Sequence, residues 1–282
     1  MKHPDADFYA RQYNARAAVP EHPAIFTRWV NDSVHVRRRH AALLDLAYGE
    51  APAERLDFFP TSRSKAPLLV FIHGGWWRSL DKSDFSFVAP AYAQSGVNVA
   101  VLNYTLAPAA SLAEIVREQL RALAWLYRHA EQYDFDANRI FVSGHSAGAH
   151  LSAMLMAAHW PVFGADLPAD LVKGAVLLSG VYDLEPVRHT RFVNDDLKLT
   201  EADVGLLSPA WMPQARPTPF LTAWGALESD EFRRQSELIG ARWKAALRSE
   251  MPLPGINHLT ICDAFSDPEH ALHRATLELV KR

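Results

Sequence analysis

The stretch that most constrains the fold is residues 139–150, Arg-Ile-Phe-Val-Ser-Gly-His-Ser-Ala-Gly-Ala-His. Ile140, Phe141 and Val142 form an apolar run that stops at Gly144-His145-Ser146-Ala147-Gly148, and Leu151, Met154, Leu155 and Ala158 then mark a helix-forming stretch. Buried strand, sharp turn and helix form the setting in which G-x-S-x-G lifts a serine hydroxyl above the end of a sheet. Glycine is required at 144 and 148 because side chains there would collide as the chain doubles back. Ser146 is therefore the expected nucleophile. The competing reading is an ordinary strand-to-helix loop in which Ser146 caps the helix.

A chain of 282 residues can bury one large α/β core without splitting. Its 29 basic and 32 acidic residues nearly balance, which gives no electrostatic reason to expect nucleic acid or an anionic membrane as partner. Arg37-Arg38-Arg39-His40 and Arg233-Arg234 read as solvated faces. A single cysteine, Cys262, rules out an intrachain disulfide and fits a reducing compartment. The opening Met-Lys-His-Pro-Asp-Ala-Asp lacks the apolar centre of a leader, and no apolar run is long enough to span a membrane. A soluble cytoplasmic protein is expected, with homo-oligomerisation left open.

Along the chain, Phe8, Tyr9 and Tyr13, then Ile25, Phe26, Trp29 and Val30, recur at helical spacings divided by Pro20 and Pro23. A third helical pattern covers roughly 34–46. Residues 1–50 are thus expected to be a helical arm lying on a catalytic domain at 51–282, with its aromatics packed against that domain. Strands are expected at 55–60, 67–72, 97–104, 140–142, 172–179, 219–224 and 250–253. Helices are expected at 111–132, 229–244 and 268–280, while the proline-bearing segment 184–216 reads as an irregular insertion. The alternation predicts an α/β fold with a mostly parallel central sheet and helices on both faces.

A serine hydroxyl needs a base, and the base needs a third group to fix its tautomer. In an open parallel sheet these groups come from loops at the carboxyl ends of strands. His258 follows the last short strand and Glu228 follows the strand ending at Trp224, so the chain order is nucleophile, acid, base. Asp230 is the rival acid, although a carboxylate in the first turn of a helix has an electrostatic reason to be there anyway. His145 and His150 belong to the elbow and its helix and are set aside as bases. They also lack a carboxylate partner for a metal site, so neither a metal nor a cofactor is expected. The turn His73-Gly74-Gly75-Trp76 can bring backbone N–H groups to a developing oxyanion. Gly75 and Trp76 are assigned there together with Ala147, and His73 is read as a buried tie. Trp77, Tyr182 and Trp224, near strand ends, are the expected aromatic faces for substrate.

Three segments, His73-Gly-Gly-Trp76, Asn103-Tyr-Thr-Leu-Ala-Pro108 and Gly144-His-Ser-Ala-Gly148, resemble the hormone-sensitive-lipase-like esterases of the α/β-hydrolase superfamily. A closer likeness runs over nearly the whole chain. Tyr13-Asn14 with Val19-Pro20, His73-Gly-Gly-Trp-Trp-Arg78, Ser179-Gly-Val-Tyr-Asp-Leu184 and Glu228-Ser-Asp-Glu-Phe-Arg-Arg-Gln-Ser236 resemble the kynurenine formamidase (arylformamidase) branch. That resemblance implies the α/β-hydrolase fold, with the nucleophile at Ser146, the acid at Glu228 rather than Asp230, and the base at His258. It also implies hydrolysis of N-formyl-L-kynurenine to kynurenine and formate, or of small aryl and short-chain esters. One departure matters: where the lipase-like pattern has a third glycine this chain has Trp76, which disfavours large acyl groups.

Overall fold

The computed structural model describes residues 6–281; residues 1–5, the start of the segment read above for a leader, and residue 282 lie outside it. One eight-stranded sheet organises the chain, built from β1 (Leu43–Ala47), β2 (Arg55–Phe59), β3 (Ala66–Ile72), β4 (Asn98–Leu102), β5 (Phe135–His145), β6 (Val172–Leu178), β7 (Phe220–Gly225) and β8 (Leu247–Leu253). The strand order is β1-β2-β4-β3-β5-β6-β7-β8, and β2 runs antiparallel to both neighbours while every pair from β4 to β8 is parallel. This is the α/β-hydrolase fold expected from the sequence.

The parallel strands are apolar on both faces because both faces are covered. In β3 every residue is buried; Leu68, Val70 and Ile72 join one core while Leu69 and Phe71 join the other. Side chains that alternate with a period of two are thus split between two helical layers. Helices Leu112–Arg128 and Ala147–Ala157 contribute to the first layer, and Ile261–Ser266 and Ala271–Lys281 to the second.

Two local expectations need correction. The pattern at 34–46 is not one helix: helix His22–Arg39 ends at His40, and Leu43–Ala47 is the edge strand β1. The cationic run Arg37-Arg38-Arg39 sits in the last turn, where the helix dipole favours positive charge, so it marks the helix end. Second, β5 begins at Phe135, not 140: Phe135 pairs with Ala66 before a register shift leads into the run that ends at the elbow. The segment 184–216 contains the short helices Glu185–Arg188, Arg191–Leu197 and Glu201–Leu207. No helix among the described residues is long and apolar enough to cross a membrane.

Candidate active site

At the end of β5 the chain turns through Ser146, whose φ of 55° and ψ of −116° lie in a region that side chains rarely occupy. The turn is possible only with the glycines beside it. A Cβ on Gly144 would lie 2.3 Å from the carbonyl carbon of Gly148, and one on Gly148 would lie 1.9 Å from the carbonyl oxygen of Ile72. Ser146 stands at the N-cap of helix Ala147–Ala157, yet its side chain makes no capping hydrogen bond. The hydroxyl faces His258 instead.

His258 Nε2 lies 3.1 Å from Ser146 Oγ, and His258 Nδ1 lies 2.6 Å from Glu228 Oε2. Because an ionised carboxylate only accepts, Nδ1 carries the proton, leaving Nε2 to accept from the serine hydroxyl. The Glu228 side chain is fully buried, and its Oε1 accepts from Ser179 Oγ and from Gly225 N–H, both at 2.6 Å. Glu228 thus holds the histidine with one oxygen and is itself held through the other. Asp230 is an exposed group paired with Arg233, away from this line.

The His258 ring is also fixed by its neighbours. Phe232 packs at a centroid distance of 4.1 Å, and His145 lies 4.7 Å away on the ring and donates from Nε2 to the His258 carbonyl at 2.6 Å. Burial, reinforced by the positive charge His258 can carry, holds the His145 pKa well below the ordinary histidine range. His145 is therefore a neutral donor. His150 donates to the Leu207 carbonyl, and burial brings its pKa down to about 4. His73 is buried, stacked at 4.4 Å on Tyr104, and hydrogen-bonded to Gly74 and Asn103.

The glycine turn lies against the elbow: a Cβ on Gly74 would stand 3.1 Å from Ser146 Cβ. Gly75, Trp76 and Trp77 have φ values of 103°, 54° and 57°, three consecutive left-handed residues. The Gly75 carbonyl accepts from Arg78 N, Ser79 N and Ser79 Oγ. Since the peptide unit is planar and trans, pinning that carbonyl turns the Trp76 N–H to the opposite side of the loop. Ala147 opens the elbow helix, where the backbone N–H has no intrahelical acceptor.

Gly75, Trp76, Ser146 and His258 line a cavity of about 390 Å³. Its aromatic walls are not those expected. Trp77 is buried edge-on against His150, Tyr182 is fully buried with its N–H on Gln235, and Trp224 is buried in β7; none of the three lines the cavity. A strand-end aromatic can cover the sheet without reaching the space above the elbow. The walls come instead from Phe26 and Trp29 of helix His22–Arg39, from Trp76, and from Phe192 of the segment over the sheet. In the sequence Ser179 and Phe232 are given no part in holding the acid and the base, and His145 is weighed as a base or a metal ligand, whereas His145 holds the His258 backbone. Ser179 ends the apolar run of β6, the one signal that placed it near the other strand-end loops.

A family model described as BD-FAE matches residues 56–166. The kynurenine formamidase of Danio rerio is 32% identical over 247 residues, covering 84% of this chain and 82% of that protein. The kynurenine formamidase of Salmo salar is 32% identical over 248 residues with the same coverage. A solved structure of a candidate thioesterase from Silicibacter sp. superposes with a TM-score of 0.82 at 25% identity, covering 96% of this chain and 98% of the other. Fold, elbow and full-length similarity agree: the chain is a serine hydrolase of the α/β-hydrolase superfamily and belongs to the kynurenine formamidase family.

Proposed function

We propose that this protein removes a small acyl group from an aromatic substrate, with N-formyl-L-kynurenine as the substrate and kynurenine and formate as products. The observation that carries this reading is Trp76. Its indole lines the cavity beside Ser146 and is wedged among the rings of Tyr13 at 5.6 Å, Phe192 at 6.3 Å and Phe232 at 6.3 Å. A bulky group fixed at that point disfavours large acyl chains, and formyl is the smallest. Phe26, Trp29 and Phe192 offer faces for a planar ring. The full-length likeness to proteins named kynurenine formamidase supports the same substrate.

In the proposed mechanism, Ser146 Oγ attacks the formyl carbon as His258 Nε2 takes its proton, and Glu228 orients and stabilises the resulting imidazolium. The N–H groups of Gly75, Trp76 and Ala147 receive the oxyanion, where one lost donor costs about 3 kcal/mol. His258 returns the proton to the leaving aryl amine. Water, activated by the same imidazole, then releases formate from the serine ester. The lone thiol of Cys262 is buried, and a cytoplasmic setting is part of the proposal.

A short-chain aryl or alkyl carboxylesterase is the second reading, favoured by the structural likeness to a candidate thioesterase. Formamides and esters pass through the same tetrahedral intermediate and use the same donors. Side-by-side kcat/KM values for N-formyl-L-kynurenine, p-nitrophenyl acetate and p-nitrophenyl butyrate separate the two. A formamide value below about 10³ M⁻¹s⁻¹, under the usual enzyme range, beside an efficient ester value would leave the esterase.

A further inference from the structure

The cavity beside Ser146 carries a charge that bond cleavage does not use. Arg16 and Arg78 line it, and among the described residues no carboxylate does. Arg78 is neutralised by Asp196. Arg16 has no carboxylate partner among the described residues. Its Nη2 donates to Ser79 Oγ at 3.3 Å, and its guanidinium carbon lies 5.4 Å from the centre of the Phe26 ring. One neutral hydroxyl and one aromatic face hold the group beside the cavity while most of its five N–H donors stay unclaimed.

The mounting of Arg16 is as specific as its charge. It sits in the short helix Ala15–Ala18, capped by Asn14 Oδ1 on Ala17 N–H. The preceding residue but two, Tyr13, is buried, donates to Glu231 at 2.8 Å and accepts from Gln235 at 2.9 Å. Ser79, which accepts from Arg16, donates to the Gly75 carbonyl. The cation is thus tied to the same turn that presents Trp76.

We propose that Arg16 is the anion anchor of this cavity and selects aryl-acyl substrates that carry a carboxylate away from the scissile carbonyl. This rests on the hydrolase reading above and narrows its substrate class. A guanidinium with free N–H groups, held by a cation–π contact and one hydroxyl, can offer two parallel N–H···O bonds to a carboxylate. Arg16 is exposed, so the pair is partly screened and its effect on selectivity is set at up to about fivefold.

The test uses two chromogenic esters with one acetyl group and one leaving-group scaffold, 4-acetoxy-3-nitrobenzoate and the neutral 4-acetoxy-3-nitrobenzamide. The wild-type protein should prefer the anion in kcat/KM by up to about fivefold. Arg16→Met should bring that ratio close to one, mainly through KM for the anion, and Arg16→Lys should retain part of it. Because the readout is a ratio, loss of folded protein cancels. A ratio unchanged in Arg16→Met, even with both rates reduced, would overturn the anchor and leave Arg16 as a tie for the arm. If the ester pair behaves as expected while N-formyl-L-kynurenine is not hydrolysed, the formamidase reading falls and the anchor stands.

Discussion

His145 Nε2 donates to the carbonyl oxygen of His258 across 2.6 Å, so the residue before the elbow serine holds the backbone of the residue that faces its hydroxyl. The elbow at the end of β5 and the loop after β8 are locked by this bond. Relative placement of Ser146 and His258 therefore does not depend on their own 3.1 Å contact alone. Burial keeps His145 neutral, which makes it a donor of one fixed tautomer.

The serine assignment is tested by covalent capture. A serine-directed organophosphate should add once to the wild-type protein, and intact-mass measurement should find no adduct on Ser146→Ala. An undiminished adduct in the variant would return Ser146 to a capping role, which its missing cap bond already argues against.

The buried acid gives the second prediction. Glu228→Gln keeps only one acceptor oxygen, so an amide N–H must face either His258 Nδ1–H or Gly225 N–H, and it loses the charge that stabilises the imidazolium. Its kcat should fall by about 10⁴, as for the corresponding change in a serine protease. Asp230→Asn removes only an exposed ion pair and should change kcat less than about twofold. The reverse pattern would exchange the roles.

The elbow and its partners were legible in sequence for a physical reason: each depends on residue type at a strand end. Gly144 and Gly148 are demanded by contacts near 2 Å, and Glu228 and His258 follow β7 and β8. Substrate contacts had no such local signature. Phe26, Trp29 and Phe192 reach the cavity only through the packing of the N-terminal helices and the segment over the sheet. Trp77, Tyr182 and Trp224 satisfied the sequence criterion and went into the core. β1 was missed because its Leu43 and Leu44 also continue the helical spacing of the preceding segment. As an edge strand it has no alternation of burial to betray it.

Acid should destabilise the fold through its buried histidines. His150 falls from the ordinary 6.5 to about 4 on burial, so between these values the unfolded chain binds a proton that the native state refuses. Stability then rises with pH across this window and is lost as pH falls through it, by about 3 kcal/mol for one fully buried group. His145 and His73, lowered by burial, act in the same direction. Urea titrations at pH 7 and pH 4.5 should show the loss, and His150→Gln should flatten it by about one proton. An equally steep loss in that variant would assign the effect elsewhere.

Two glycines should respond oppositely to the same methyl group. Gly148→Ala drives a Cβ to within 1.9 Å of the Ile72 carbonyl oxygen, a backbone atom that cannot swing away. Soluble, active protein should be lost or strongly reduced. Gly205 lies exposed within helix Glu201–Leu207 with nothing within 4 Å of its added Cβ. Gly205→Ala should stabilise by up to about 1 kcal/mol through helix propensity and chain entropy. Thermal melts of the two variants decide the matter; destabilisation by Gly205→Ala would contradict the open environment.

Trp76→Gly tests what limits the acyl group. The substitution removes the indole from the cavity wall and places glycine where φ is 54°, a conformation glycine adopts without strain. Removing a large aromatic from among Tyr13, Phe192 and Phe232 costs about 3–5 kcal/mol when the space stays empty. Relief of the left-handed strain offsets about 1–2 kcal/mol of that, so a folded but less stable protein is expected. Because the Gly75 carbonyl keeps its three donors, the turn itself persists. The acyl pocket should then admit longer chains, and the ratio of kcat/KM for p-nitrophenyl butyrate to that for the acetate should rise about tenfold, since burying two further methylenes is worth about 1.5 kcal/mol. An unchanged ratio in a folded variant would mean that the acyl group does not lie against Trp76, and the argument for formyl would lose its main support.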